Sequence, residues 1–222
     1  MTHIYWKTVT TEMRQVMAGF AQSEFGARFY LAGGTALALQ IGHRSSIDLD
    51  FFSASEDIPS INAPLQVALQ AFDPILLDTS WGNLLYLANA VRIGFYGYGY
   101  PMVSAFVDAD GIQLASIADI GLMKLDALLG RASRKDFLDL YVICQKTPLR
   151  QLLDLAPQKY PYVRDFEAQV VQRLVYFEVA EQEEPVSMLQ PVDWNIVKQY
   201  FRQQAISIGR GWIDIEIGRA HV

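Results

Sequence analysis

The chain has 222 residues, 51% of them apolar, enough for one large domain or a core domain with a smaller appendage. Its net charge of −6 argues against tight, non-specific nucleic-acid binding, which runs on excess Lys and Arg, but leaves room for a local basic patch. One cysteine, Cys144, excludes a disulfide framework and points to a reducing compartment, and three scattered histidines (His3, His43, His221) exclude a paired zinc site.

In chain order, Met13, Val16, Met17 and Phe20 recur at helical spacing, so a helix is predicted over Thr11 to Phe25, with Thr10 or Thr11 as N-cap. Phe29 to Leu31 reads as a short buried strand, ended by Gly33 and Gly34, and Thr35 to Gln40 starts a helix. Ile47 to Phe52 alternates, which predicts a strand with Ile47, Leu49 and Phe51 on one side and Asp48 and Asp50 on the other. A helix is expected at Ala63 to Phe72. Strands are expected at Ile75 to Asp78, Leu84 to Asn89, Val91 to Tyr96 and Met102 to Val107, with a hairpin turn at Asp108 to Gly111. Ser116 and Asp119 resemble a capping box opening a helix that runs to Gly130. A second helix over Arg134 to Gln145 should bury Leu138, Tyr141, Val142 and Cys144.

Beyond Pro148 the pattern is helical at Leu149 to Leu155, Val163 to Ala180 and Trp194 to Gln204. The expected organisation is a mixed α+β core over 1–145 and a helical subdomain over 146–215. The last seven residues, Glu216 to Val222 (EIGRAHV), look like the translation of a sequencing adapter (GAG ATC GGA AGA GCA CAC GTC). They are expected to be read-through and carry no functional weight, His221 and Arg219 included. No apolar run reaches the ~18 residues of a membrane span, and the start lacks a signal-peptide pattern, so a cytoplasmic protein is expected.

Asp48 and Asp50 carry the sharpest chemistry. At i and i+2 on a strand their carboxylates point the same way, roughly 7 Å apart. They need a counter-charge, and Mg²⁺ suits one or two carboxylates plus substrate phosphates. The alternative is a solvent-facing strand side. The Gly33-Gly34-Thr35 turn opens a helix, whose N-terminal N–H groups suit phosphate. Glycine removes the Cβ that blocks close approach, and Thr35 offers a hydroxyl. The same turn also fits an ordinary strand-to-helix connection. Lys124, with Arg131 seven residues on, is either a phosphate or leaving-group partner or a solvated lysine on an amphipathic helix. Asp136 and Asp139 share a helix face, and one of them either acts as a base or positions a basic partner, or is an N-terminal helix acid favoured by the dipole. Tyr96, Tyr98 and Tyr100, separated by glycines, suit base stacking, a mobile rim or a packed edge strand.

Together, LAGGTALALQIGHRSSIDLDFF (Leu31 to Phe52) and KLDALLGRASRKDFLDLY (Lys124 to Tyr141) resemble the AbiEii/AbiGii toxin family of nucleotidyltransferases. The resemblance implies a DNA polymerase β-like fold, a small mixed sheet flanked by helices with a helical C-terminal part. It implies nucleotide transfer from an NTP with Mg²⁺, for which Mn²⁺ can substitute, to an acceptor such as tRNA. It also implies toxin action opposed by an antitoxin protein encoded nearby. By the same resemblance, Gly33, Gly34 and Thr35 hold the triphosphate, Asp48 and Asp50 hold metal, and Lys124 and Asp136, with Asp139 close behind, complete the site; Arg131, from its spacing to Lys124, and Arg44 are further candidates. Many polymerase-β-like enzymes carry a third metal carboxylate on a later strand. Here VRIGFY (Val91 to Tyr96) has no acid, and Asp108 and Asp110 look like turn residues.

Overall fold

Thr10 fixes the start of α1 (Thr11–Ala21): its hydroxyl accepts the Met13 N–H at 3.2 Å. These observations come from a computed structural model that describes residues 3–219. The helix ends at Ala21, short of Phe25, because the chain folds back on its own last turn. The Ser23 hydroxyl donates to the Phe20 carbonyl at 2.7 Å, and a Cβ at Gly26 would stand 2.2 Å from the Ala21 carbonyl oxygen.

The chain divides between Ile120 and Gly121 into two compact units. The first holds α1, β1 (Tyr30–Leu31), α2 (Gly33–Ile41), β2 (Asp48–Ser53), α3 (Asn62–Ala68), β3 (Ile75–Asp78), β4 (Leu84–Ala88), β5 (Val91–Gly97), β6 (Val107–Ala109) and β7 (Ile112–Leu114). The strands form one mixed sheet in the order β3-β4-β5-β2-β1-β7-β6. β2 runs parallel to β5 and antiparallel to β1, and β1 runs parallel to β7. Phe51 of β2 packs with Phe20 and Phe95, and Phe95 with Phe29, in an aromatic core on one sheet face, the side of β2 on which Leu49 is also buried. Asp48 and Asp50 occupy the other face.

Hairpins depend on backbone that tolerates positive φ. Asn89 and Ala90 (φ 51° and 61°) join β4 to β5, and Asp110 and Gly111 (φ 55° and 86°) join β6 to β7. The strand expected at Met102 to Val107 is reduced to its last residue. Residues 103 and 104 turn instead toward Asp119, whose carboxylate accepts the Val103 and Ser104 N–H groups at 3.0 and 3.2 Å. Ser116 caps α4 (Ile117–Gly130) by accepting the Asp119 N–H at 3.0 Å. The Ser116 hydroxyl in turn donates to the Asp119 carboxylate at 2.7 Å.

The boundary between the units falls inside α4, earlier than the expected residue 146. The composition shift at 146 marks the last strand-free run, whereas α4 residues from Gly121 onward already pack with the later helices. A Cβ at Gly121 would meet Leu152 at 3.0 Å. The second unit holds the remainder of α4 with α5 (Arg134–Cys144), α6 (Leu149–Lys159), α7 (Phe166–Arg173), α8 (Glu178–Gln182) and α9 (Trp194–Arg219). Its core gathers Phe137, Phe177, Trp194 and Phe201. On α5, Leu138 and Cys144 are buried as expected, Phe137, Leu140 and Ile143 are fully buried, and Tyr141 and Val142 are only half-buried. The backbone of 216–219 continues α9, and residues 220–222 of the suspected tail lie outside the described residues. Among the described residues no helix is long and apolar enough to cross a membrane.

Candidate active site

The β1–α2 turn and β2 build the site in the first unit. Ala32 ends β1 and donates its N–H to the Asp50 carbonyl at 3.1 Å. Gly33 follows at φ 65°, a conformation that glycine adopts without strain. α2 then starts with no side-chain cap, so its first-turn N–H groups are left for another acceptor.

The two glycines are bare for different reasons. A Cβ at Gly33 would stand 3.1 Å from Asp50 Oδ2, so the turn lies directly against that carboxylate. A Cβ at Gly34 would stand 1.9 Å from a terminal nitrogen of Arg44, so the guanidinium lies directly against the turn. Arg44 is buried and donates to the Ser45 carbonyl at 3.1 Å. The turn is therefore bordered by one carboxylate and one guanidinium.

Thr35 is fully buried. Its hydroxyl donates to the Asp48 carbonyl and pairs with the Ser46 hydroxyl at 2.7 Å. It holds the start of β2 to the start of α2, and so acts on the site through Asp48. β2 begins at Asp48, and Ile47, expected on the side of Leu49 and Phe51, lies before the strand and projects into solvent at 68% exposure. Asp48 and Asp50 are both half-buried on one face.

Register decides what stands beside them. Asp48 pairs with Arg92 and Asp50 with Gly94 on the parallel strand β5. The two residues next to the carboxylates are thus a cation and a glycine, and no acid. Asp108 lies within β6 and Asp110 at the β6–β7 turn. Asp108 accepts the Gly111 N–H at 3.2 Å, and Asp110 pairs with Arg14 at 3.2 Å. Among the described residues no three His, Cys, Asp or Glu side chains are arranged to hold a metal ion. Two hard-oxygen carboxylates on one face still suit a divalent cation that arrives with phosphate oxygens.

Past the carboxylates the same face becomes aromatic. Phe52 stacks with Tyr96 at 5.1 Å and with Tyr30 at 6.0 Å, and Tyr98 meets Phe52 at 5.7 Å and Tyr100 at 5.0 Å. β5 lies between β4 and β2, so the tyrosine run is not on an edge strand.

In the second unit the KLDALLGRASRKDFLDLY residues form a buried ion network. Lys124 Nζ lies 3.0 Å from Asp136 Oδ1 and 2.7 Å from Asp139 Oδ2, with both carboxylates inaccessible to solvent. Arg131 donates to both Asp136 oxygens at 2.7 and 2.9 Å, while its side chain stays 68% exposed. Ser133 caps α5 and donates its hydroxyl to Asp136 at 2.7 Å. Burial alone would raise the Asp136 carboxyl. The Arg131 hydrogen bonds, the Lys124 and Arg131 charges and the Ser133 hydroxyl outweigh it, and hold the group below the ordinary carboxylate range. Burial pushes the Cys144 thiol up to about 12, so it stays neutral.

The structure thus gathers Gly33, Gly34, Arg44, Asp48 and Asp50 in the first unit, with Thr35 beneath them. It gathers Lys124, Arg131, Asp136 and Asp139 in the second. Arg92 carries no local signal in the sequence, and Tyr96 reads there only as a stacking or packing residue, because only the parallel register places the two beside the aspartates.

Comparison with known proteins bears on the family and the fold. A family model described as nucleotidyl transferase AbiEii toxin, type IV toxin–antitoxin system, matches residues 15–80. An uncharacterized protein of Aquifex aeolicus (strain VF5) is 35% identical over 181 residues, covering 79% of this chain and 85% of that protein. A crystal structure assigned as a nucleotidyltransferase from H. pylori superposes with TM-score 0.57 at 20% identity, covering 92% of this chain and 94% of that one. The nucleotidyltransferase toxin MenT4 of Mycobacterium tuberculosis H37Rv superposes with TM-score 0.52 at 15% identity, covering 87% and 81%. The two structures share the fold, a polymerase-β-like nucleotidyltransferase core. With the sequence match and the fold in agreement, the chain belongs to the AbiEii family of nucleotidyltransferase toxins.

Proposed function

We propose that this nucleotidyltransferase transfers a nucleotide from an NTP, with Mg²⁺, to an RNA acceptor such as tRNA, and acts as the toxin of a pair whose antitoxin is encoded nearby. One observation carries the nucleotide part: two carboxylates share one strand face, and one of them, Asp50, lies against the glycine turn that opens an uncapped helix. Asp48 and Asp50 would hold the cation, which offsets charge on the phosphate oxygens when bound. The α2 N–H groups and the Arg44 guanidinium face the phosphates, and Thr35 keeps Asp48 in place. In the transfer an acceptor oxygen bonds to the α-phosphorus, the bond to the bridging oxygen breaks, and pyrophosphate and a proton leave. Positioning and electrostatics dominate such chemistry, and these groups supply both.

The roles expected of Lys124, Arg131, Asp136 and Asp139, leaving-group stabilisation and acceptor placement, are part of this proposal. Arg131 is the cation of that network most open to solvent. The net charge of −6 keeps a second acceptor class in view, small hydroxylated molecules. Incubation with each α-labelled NTP and Mg²⁺, with total RNA or a panel of aminoglycoside-like polyols, separates the two. Label in the tRNA fraction supports the RNA reading, and label in the polyols alone overturns it. For the toxin role, growth arrest on expression should be relieved by the product of the adjacent gene. An inactive binding module would bind NTP yet label nothing.

A further inference from the structure

Asp50 stands between two glycines that are bare for a reason. On the α2 side, Gly33 leaves room for its Oδ2. On the β5 side, its register partner Gly94 is buried beneath a tyrosine two residues further along the same strand. A Cβ at Gly94 would stand 2.3 Å from the Tyr96 hydroxyl oxygen and 2.4 Å from the ring. Real side chains do not approach so closely, so Gly94 is the residue type that lets Tyr96 lie down. Tyr96 is turned back along its own strand and held there by Phe52, stacked at 5.1 Å. Neighbouring strands lie about 4.8 Å apart, which sets the phenolic oxygen over the strand immediately beside Asp50, on the face that carries both carboxylates.

We propose that Tyr96 is a positioning residue of the nucleotide site, its phenol standing beside Asp50 where β5 carries no acid and hydrogen-bonding to orient that carboxylate toward a divalent cation. The inference rests on the metal–nucleotide reading of Asp48 and Asp50. Its chemical sense lies in charge. Two carboxylates balance one divalent cation, whereas a third acid would call for another. A neutral donor fixes the geometry without adding a negative charge. Gly94 and Tyr96 then act as one device, with the glycine kept open by the ring above it.

Two measurements test this. In calorimetric titration with Mg²⁺ and α,β-methylene NTPs, Y96F should bind about tenfold more weakly than the unaltered chain, the scale for removing a partner of a metal-ligating carboxylate. Binding in EDTA and the melting temperature should be unchanged. In thermal unfolding, G94A should lower the melting temperature in the unaltered background and have little effect in Y96A. Y96F binding Mg²⁺ and nucleotide as tightly as the unaltered chain, with D50N impaired, overturns the role of Tyr96 alone. D50N binding as tightly as the unaltered chain overturns the metal reading of Asp50, and this inference with it. Equal effects of G94A in both backgrounds also contradict the device.

Discussion

Asp136 is the residue whose surroundings make the clearest solution forecast. Its carboxyl is held below the ordinary range in the folded chain, so it binds fewer protons folded than unfolded at mildly acid pH. Its stabilisation is fully present above about pH 4, the unfolded value, and is lost as pH falls toward the folded one. Chemical denaturation between pH 7 and pH 3 should show this loss, and D136N should flatten that part of the profile. At pH 7, D136N or D139N should cost about 3–5 kcal/mol, because each leaves Lys124 buried with a broken pair. A D139N chain as stable as the unaltered one would show that the network contributes nothing. Thr35 makes a different forecast. T35V keeps the shape but removes the donor to the Asp48 carbonyl, and should cost about 1–3 kcal/mol. It should also lower nucleotide binding by loosening the start of β2.

Among the elements, β2 and α2 were legible and the place of β7 in the sheet was not. The alternation of IDLDFF placed both aspartates on one face, and burial along Asp48–Ser53 follows it. The glycine turn was legible as a strand-to-helix joint, although the helix starts at Gly33 rather than Thr35. β7 has three residues: it pairs with β6 across the hairpin turn, which the sequence does announce, and through Leu114 with Leu31, far along the chain. No local pattern announces the second pairing. The same applies to Asp50 beside Gly94, a parallel register between strands over 40 residues apart. The strand expected at 102–107 failed because Asp119 captures the backbone of Val103 and Ser104. An Asp119→Ala chain should release that segment, with faster amide exchange at Val103 and Ser104. Unchanged exchange there would show the loop is held by other contacts.

At the scale of the whole chain, the family was legible from two short blocks, and the fold class follows from strands giving way to helices. What sequence could not supply is the division of labour. The Leu31–Phe52 block builds a turn and a carboxylate pair in the first unit, and the Lys124–Tyr141 block builds a buried ion network in the second. The boundary inside α4 was hidden because a helix continues through it. The central claim concerns the carboxylate pair. Purified protein with α-labelled NTPs, Mg²⁺ and total RNA should transfer label, and D48N and D50N chains that melt as the unaltered one does should each lose at least about a hundredfold in rate. Label transfer at the unaltered rate in either folded variant would contradict the account.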